Sequence, residues 1–275
     1  MKKINDLRHY EDLFCNARQG RGRLFSNCCL LPDEISLLCK QNLLGYSMCG
    51  AGLLLFHTRG RDTRLMLAVD PGIPLDKKNF PKTDNPLVCD FPTSHDRYGS
   101  AAERLMEALS GMGFVHRATV RRMVFCPSPE QQAAICAVEC SGLTIAPAHP
   151  NRAEEIAALW ERTFDCVANT VPTLDELHLL LEQPGVLCAS VGDNRLAGVL
   201  LTEIMAPIGW SRHLAVSLRG QGVGRALMTA WHRLGLEAGV NHFRLWVSEL
   251  DTGAEVFHGK LGYALDGRTS RYFEM

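Results

Sequence analysis

The chain has 275 residues, of which 46% are hydrophobic and 21% charged, and its formal net charge is −1. This length suits two globular domains of ordinary size. Because basic residues are not in excess, the composition argues against nucleic acid or an anionic membrane surface as a partner. The N-terminus lacks the apolar core of a signal peptide and no apolar run is long enough to cross a bilayer, so we predict a cytoplasmic protein without a membrane span.

The N-terminal half contains strand patterns and one helix pattern. Residues 45–70 predict a strand, a turn at Arg-Gly-Arg-Asp and a second strand. Residues 101–125 predict a helix, then Gly113-Phe114, then a strand. Residues 70–86, which follow the second strand, carry four prolines: Pro71, Pro74, Pro81 and Pro86. Proline lacks the amide hydrogen that a helix interior needs, so no long helix is expected there.

Residues 126–142 predict a linker with a short helix, and we place the domain boundary at residue 140. All four tryptophans lie beyond residue 150, whereas nine of the eleven cysteines lie at or before Cys140, so the halves differ in composition. The cysteines are odd in number and include no Cys-x-x-Cys pair. We therefore predict free thiols in a reducing compartment, and no metal site.

The C-terminal half, residues 141–275, predicts the order β-α-α-β-β-β-α-β-α-β. Its helices show an apolar stripe at helical spacing, and its strands are short apolar runs bounded by turn residues. In chain order the predicted elements are a strand at 142–147, helices at 151–164 and 171–183, a hairpin at 185–204, a strand at 211–217, a helix ending near Ala238, a strand at 242–249, a helix at 254–262 and a strand at 269–275.

A loop with three glycines, Gly220, Gly222 and Gly224, joins the strand at 211–217 to the next helix. A Walker P-loop needs Lys-Ser/Thr after the last glycine, but Arg225 and alanine follow here. A dinucleotide-binding fold would need several more βα units than the last fifty or so residues can hold. The remaining interpretation is a tight turn whose exposed amides, with the helix dipole, bind a pyrophosphate.

This stretch resembles the GCN5-related N-acetyltransferase (GNAT) superfamily. The family signature is Arg/Gln-x-x-Gly-x-Gly/Ala after a strand that ends in Val, and it occurs here as Arg219-Gly-Gln-Gly-Val-Gly224 after Leu-Ala-Val216. The downstream pattern, Asn-x-x-Ala-x-x-Phe-Tyr-x-x-x-Gly-Phe/Tyr, occurs in altered form as Asp251, Ala254, Phe257, His258, Gly262 and Tyr263. The resemblance covers residues 141–275 and implies an α/β fold in which helices flank a mixed central sheet.

The resemblance also implies an acetyl-CoA-dependent N-acetyltransferase, in which a primary amine of a small molecule or peptide attacks the thioester directly in a ternary complex. The strand backbone would bind the pantetheine arm at Leu214, Ala215 and Val216. The loop would bind the pyrophosphate with Arg219, Gly220, Gln221, Gly222, Val223, Gly224 and Arg225. A side chain at Gly222 or Gly224 would then stand between the amides and the phosphate oxygens. A backbone amide near Val216 would donate to the oxyanion.

The main departure from the family concerns the acid that protonates the leaving thiolate, which is a tyrosine in the family and His258 here. A histidinium can protonate a thiolate, although it is a minority form at neutral pH. The alternative is a surface or sulfur-contacting histidine. Three residues are candidates for the general base, and each is alternatively an ordinary edge or solvated residue: Glu203, Glu249 and His213. We interpret Trp210 and Trp246 as core or cleft walls.

The two halves resemble each other in spacing. Val69 precedes Gly113 by 44 residues, and Val216 precedes Gly262 by 46. We predict two tandem GNAT-like domains: residues 1–140, degenerate and without the coenzyme A loop, and residues 141–275, which bind acetyl-CoA. The first would shape the acceptor cleft or serve as a platform. The competing function is a non-catalytic acyl-CoA-binding sensor or scaffold, which the absent tyrosine favours. The acceptor and the oligomeric state stay open.

Overall fold

The chain folds into two compact units, one formed by Met1–Thr119 with Gly267–Met275 and the other by Val120–Asp266. The structure is a computed structural model. It describes residues 1–21, 24–28, 30–93, 99–138, 142–165 and 167–275. The predicted boundary at residue 140 lies outside the described residues. The unit bounds differ from the predicted domains 1–140 and 141–275: the second unit begins at Val120, with the end of a strand and a short helix, and the first unit includes the C-terminal strand residues Gly267–Met275.

The first unit contains a mixed sheet with helices. Its elements, with the strand that continues into the second unit, are β1 (Lys2–Lys3), α1 (Leu7–Arg18), β2 (Phe25–Ser26), α2 (Pro32–Lys40), β3 (Leu44–Cys49), β4 (Gly52–Thr58), β5 (Thr63–Val69), β6 (Leu87–Thr93), α3 (Gly99–Gly111) and β7 (Val115–Phe125). The strand order is β1-β3-β4-β5-β6, antiparallel except for the parallel pair β5–β6, and β2 pairs with β5.

Two features of this unit follow from glycine and proline. The predicted strand before Arg-Gly-Arg-Asp is two strands, because a tight turn separates β3 from β4. Gly52 begins β4 with φ 145°, and a Cβ there would lie 2.4 Å from the carbonyl oxygen of Ala68. The proline-rich segment 70–86 forms only a 3-10 turn, Lys77–Asn79. The prediction that it contains no long helix is confirmed.

The second unit begins with the end of β7 and contains the predicted C-terminal elements. These are α4 (Pro129–Ala137), β8 (Thr144–Pro147), α5 (Ala153–Thr163), α6 (Leu174–Leu181), β9 (Val186–Val191), β10 (Arg195–Met205), β11 (Ile208–Val216), α7 (Val223–Glu237), β12 (His242–Ser248), α8 (Thr252–Gly259) and β13 (Ala264–Glu274). The predicted element order is confirmed, and α4 is the short helix predicted in the linker. The last part of β13 belongs to the first unit, where it pairs with β6.

The two units repeat one strand arrangement. In the second, the order is β8-β9-β10-β11-β12, again antiparallel except for the final parallel pair, β11–β12. The strand before each crossover ends at the predicted equivalent residue, Val69 in β5 and Val216 in β11. Where the second unit has α7, the first has the proline-rich segment. The predicted repeat of one fold is therefore visible in the topology.

Helix α7 is fixed against the sheet of the second unit by close packing. Gly198 in β10 leaves room for it, since a Cβ there would lie 2.9 Å from Val223 Cγ1 and 3.1 Å from Leu227 Cδ1. Trp231, in the same helix, is fully buried. Burying a large aromatic side chain stabilises such an interface by several kcal/mol. The N-terminus of α7 is thus held beside the end of β11.

None of the helices in the described part of the chain has the length and apolar character that a membrane span requires.

Candidate functional site

The loop between β11 and α7 is an exposed turn built on glycine. Gly220 and Gly222 have φ values of 77° and 75°, in the left-handed region that glycine adopts without strain. Gly222 is also the N-cap of α7. The start of the turn is fixed by Ser217, whose amide and hydroxyl both donate to the carbonyl of Ala197, at 2.8 and 3.0 Å.

The backbone amides at the end of this turn are unpaired within the described part of the chain. Among the described residues, none accepts a hydrogen bond from the N–H groups of residues 220–225, and the first bond of α7 runs from Ala226 N to Gly222 O at 2.9 Å. Unpaired amides at a helix N-terminus, together with the helix dipole, attract anions. The exposed side chains of Arg219 and Arg225 lie on the same segment. The chemistry of this segment fits a diphosphate.

The glycines of the turn differ in the protein atoms that surround them. A Cβ on Gly222 would meet no atom within 4 Å, so its positive φ, rather than crowding within the protein, calls for glycine. A Cβ on Gly224 would lie 3.2 Å from Phe257 Cζ and 3.6 Å from Val216 Cγ2. Gly224 thus lets the ring of Phe257 approach α7, while the space for phosphate at Gly222 and Gly224 stays a prediction.

Next to this turn, β11 and β12 part. They pair in parallel from Ile208 opposite His242 only as far as Ser211 opposite Leu245. Arg212 has no partner on β10 and forms a β-bulge at the same point. Beyond it, β11 and β12 have no further register pair among the described residues, so their facing edges lack sheet partners. Leu214, Ala215 and Val216 lie on this edge, where an extended ligand arm can add its own hydrogen bonds.

His258 is buried rather than placed at the surface. It lies on α8, is 7% exposed, and its ring contacts those of Phe257 and Tyr263. Burial lowers the pKa of His258 to about 4, although the carboxylate of Asp251 acts in the opposite direction. The ring is therefore neutral at neutral pH. This environment does not support the predicted role of histidinium as the acid for the thiolate, and it contradicts the alternative of a surface histidine.

A second buried histidine, His232 on α7, was not predicted. It is 3% exposed, and its Nε2 lies 2.8 Å from the hydroxyl of Tyr263. Burial, with a smaller effect of His258, lowers the pKa of His232 to about 3, and burial raises the pKa of Tyr263. The signal was present in the sequence, because His232 falls on the apolar stripe shared by Met228 and Gly235.

The three predicted base candidates lie in different environments. His213 is buried, with Nε2 3.1 Å from the carbonyl oxygen of Thr170, so its ring anchors a loop. Glu203 accepts a hydrogen bond from Arg212 Nε at 2.8 Å and a second from Nη2 of the same guanidinium. Glu249 is exposed, directly after β12, and makes no hydrogen bond or ion pair among the described residues. Of the three, only Glu249 keeps an unoccupied carboxylate.

Solved structures share this fold. The GCN5-related N-acetyltransferase from Sphaerobacter thermophilus aligns with 21% identity and a TM-score of 0.50, over 70% of this chain and 59% of that one. A tandem GNAT protein from the clavulanic acid biosynthesis pathway aligns with 14% identity and a TM-score of 0.54, over 82% and 78%. A GCN5-related glucosamine N-acetyltransferase region of a fungal multi-domain GH3 beta-N-acetylglucosaminidase aligns with 15% identity and a TM-score of 0.62, over 98% and 37%.

These likenesses establish the fold. No protein-family model matches the sequence, and no curated protein matches it. The chain spans less than two thirds of the length of the Sphaerobacter and fungal proteins. The chain has the GNAT fold, with a mixed sheet flanked by helices, and a tandem GNAT protein is among its structural neighbours. The predicted fold class is confirmed.

Proposed function

We propose that the chain is an acyl-CoA-dependent N-acyltransferase that transfers an acetyl group to a primary amine. One observation supports this most strongly. The unpaired amides of residues 220–225 lie at the N-terminus of α7, directly after the strand edge that β12 leaves open. A diphosphate bonded to an extended arm matches these two features together. The diphosphate needs free N–H groups, and the arm needs a free strand edge.

Different residues of the second unit have the proposed roles in binding and in chemistry. The amides of residues 220–225, with Arg219 and Arg225, would hold the diphosphate, and the edge at Leu214–Val216 would hold the pantetheine arm. Acetyl-CoA, when bound, supplies the acyl group as a thioester. A backbone amide of β11 near Val216 would donate to the developing oxyanion. Glu249 is the proposed group that takes the ammonium proton of the amine, directly or through water.

A second candidate function is a non-catalytic acyl-CoA sensor. The observation that favours it is the burial of His258, which leaves the position of the family's tyrosine without an acid at neutral pH. Binding of the cofactor is common to both functions, so only turnover separates them.

Turnover is measured as thiol release from acetyl-CoA with a panel of primary amines. We expect amine-dependent release from the wild type. Because His258 is neutral and buried, we expect H258Q to stay within about threefold of the wild-type rate between pH 6 and 8, whereas loss of a general acid would cost about 100-fold. Binding of acetyl-CoA without release by any amine would support the sensor instead.

A further inference from the structure

Two tryptophans and an arginine lie together on the sheet of the second unit, on the face opposite α7. A Cβ on Gly209 would lie 3.3 Å from Trp231 Cζ2 of α7, and the neighbouring residue of β11, Trp210, points to the other face. Trp246 of β12 stacks against Trp210 with ring centroids 6.4 Å apart and planes 14° apart. The guanidinium of Arg212 lies 5.0 Å from the centroid of the Trp210 ring. We call these three residues the aromatic platform.

The aromatic platform lies where β11 and β12 part. Trp246 is the first residue of β12 beyond the last β11–β12 register pair, and Arg212 is the bulged residue of β11. An amine that approaches the open strand edge from this face passes over the two indole rings. Both tryptophans are half-buried, so part of each ring stays accessible. Partly exposed aromatic surface at a site is typical of ligand contact.

Arg212 is held in place with one edge unused. Glu203 accepts hydrogen bonds from its Nε and Nη2, and the Trp210 ring lies against its plane. No described residue accepts a hydrogen bond from Nη1, and 41% of the side chain is exposed. A guanidinium that is fixed on two sides loses little entropy when it binds a carboxylate through its remaining donors. The edge at Nη1 is thus prepared for an acidic group.

The groups around Trp210 offer a polycationic ligand no further cation–π contact. The guanidinium of Arg244 also lies near the ring of Trp210, 5.7 Å from its centroid, so two cations already face that indole. A further ammonium would find the cation–π positions of that ring already taken by these two guanidinium groups. A flat uncharged ring, by contrast, gains stacking area on Trp246.

Resting on the proposed function, we propose that the aromatic platform selects the acceptor: an amine that carries an aromatic ring and a carboxylate, as an aromatic amino acid does. Trp246 stacks on the ring and Arg212 Nη1 donates to the carboxylate. The amino group then faces the open edge of β11.

The test compares acetyl transfer to four amines: L-phenylalanine, L-phenylalaninamide, L-alanine and spermidine. We expect kcat/KM for phenylalanine to exceed that for each of the others by about tenfold or more, since each lacks the ring or the carboxylate or adds positive charge. We expect W246A to reduce phenylalanine to the level of alanine, with W246F retaining most of the preference. We expect R212Q to make phenylalanine and its amide equivalent.

The control variant is R195Q, which changes an exposed arginine of β10 outside the aromatic platform. It should leave the ranking unchanged, and all variants should bind coenzyme A as the wild type does. Equal or faster acetylation of spermidine or alanine overturns the inference and leaves the proposed function standing. If no amine is acetylated, binding of N-acetylphenylalanine to the coenzyme A-loaded protein is measured by calorimetry. If N-acetylphenylalanine binds to the wild type and W246A abolishes this binding, the aromatic platform is supported without the proposed activity. If N-acetylphenylalanine does not bind to the wild type, the inference is overturned.

Discussion

Replacing Gly222 by aspartate is expected to weaken binding of coenzyme A by about 30-fold or more, or about 2 kcal/mol. Gly222 precedes the first turn of α7, where unpaired amides and the helix dipole attract negative charge. A carboxylate at this position would accept from those amides itself and repel the diphosphate. Calorimetric titration of the variant with coenzyme A measures the change.

Two variants separate this effect from backbone strain. Gly239, at the other end of α7, has φ 82°, and a Cβ there would also meet nothing within 4 Å. The strain in G239D is therefore comparable, at about 1–2 kcal/mol, but its carboxylate is far from the unpaired amides. We expect G239D to bind coenzyme A like the wild type and G222A to fall between G222D and the wild type. Equal losses in G222D and G239D would assign the effect to unfolding.

Lowering the pH from 6.5 to 4 is expected to destabilise the protein by several kcal/mol, through His232 and His258. Burial lowers their pKa values from 6.5 to about 3 and about 4. In this range the unfolded chain therefore binds protons that the folded protein does not. The two histidines cause no destabilisation above pH 6.5, where they are neutral in both states. Below it, each proton that only the unfolded chain binds lowers the free energy of unfolding by about 1.4 kcal/mol per pH unit. Urea unfolding followed by tryptophan fluorescence measures it.

The variant H258Q isolates one of these protons. Its free energy of unfolding should fall less steeply between pH 6.5 and 4 than that of the wild type. The difference in slope should be about 1.4 kcal/mol per pH unit, which corresponds to one proton. H178Q, which changes an exposed histidine of α6, should retain the wild-type slope. All the tryptophans lie in the second unit, so the fluorescence reports that unit. Parallel pH profiles for H258Q and the wild type would show that His258 is not buried in a neutral form.

The sequence predicted the second unit well where local chemistry determines structure. Thr173 caps α6 as expected, because its hydroxyl accepts from the amide of Glu176. Asp251, the altered asparagine of the second motif, caps α8 by accepting from Ala254 N at 2.8 Å. Gly222 occupies the left-handed position that the glycine motif implies. In each case one residue and its near neighbours determine the conformation.

Features that depend on distant contacts could not be predicted. The bulge at Arg212 arises from the register of β10 against β11, which no short pattern encodes. The burial of His258 depends on where α8 packs, and a polar residue on a short helix gives no sign of it. The pairing of β7 with β12 and of β13 with β6 joins segments that lie far apart in the chain. Spacing alone therefore left the unit bounds undetermined.

The most direct measurement is the amide spectrum of the wild-type protein, recorded by ¹H–¹⁵N NMR with and without coenzyme A. The amides of residues 220–225 should shift and exchange more slowly with solvent when coenzyme A saturates the protein, while the amide of Gly239 stays unchanged. If coenzyme A leaves the amides of residues 220–225 where they were, the turn before α7 does not hold its diphosphate and the proposed function loses its basis.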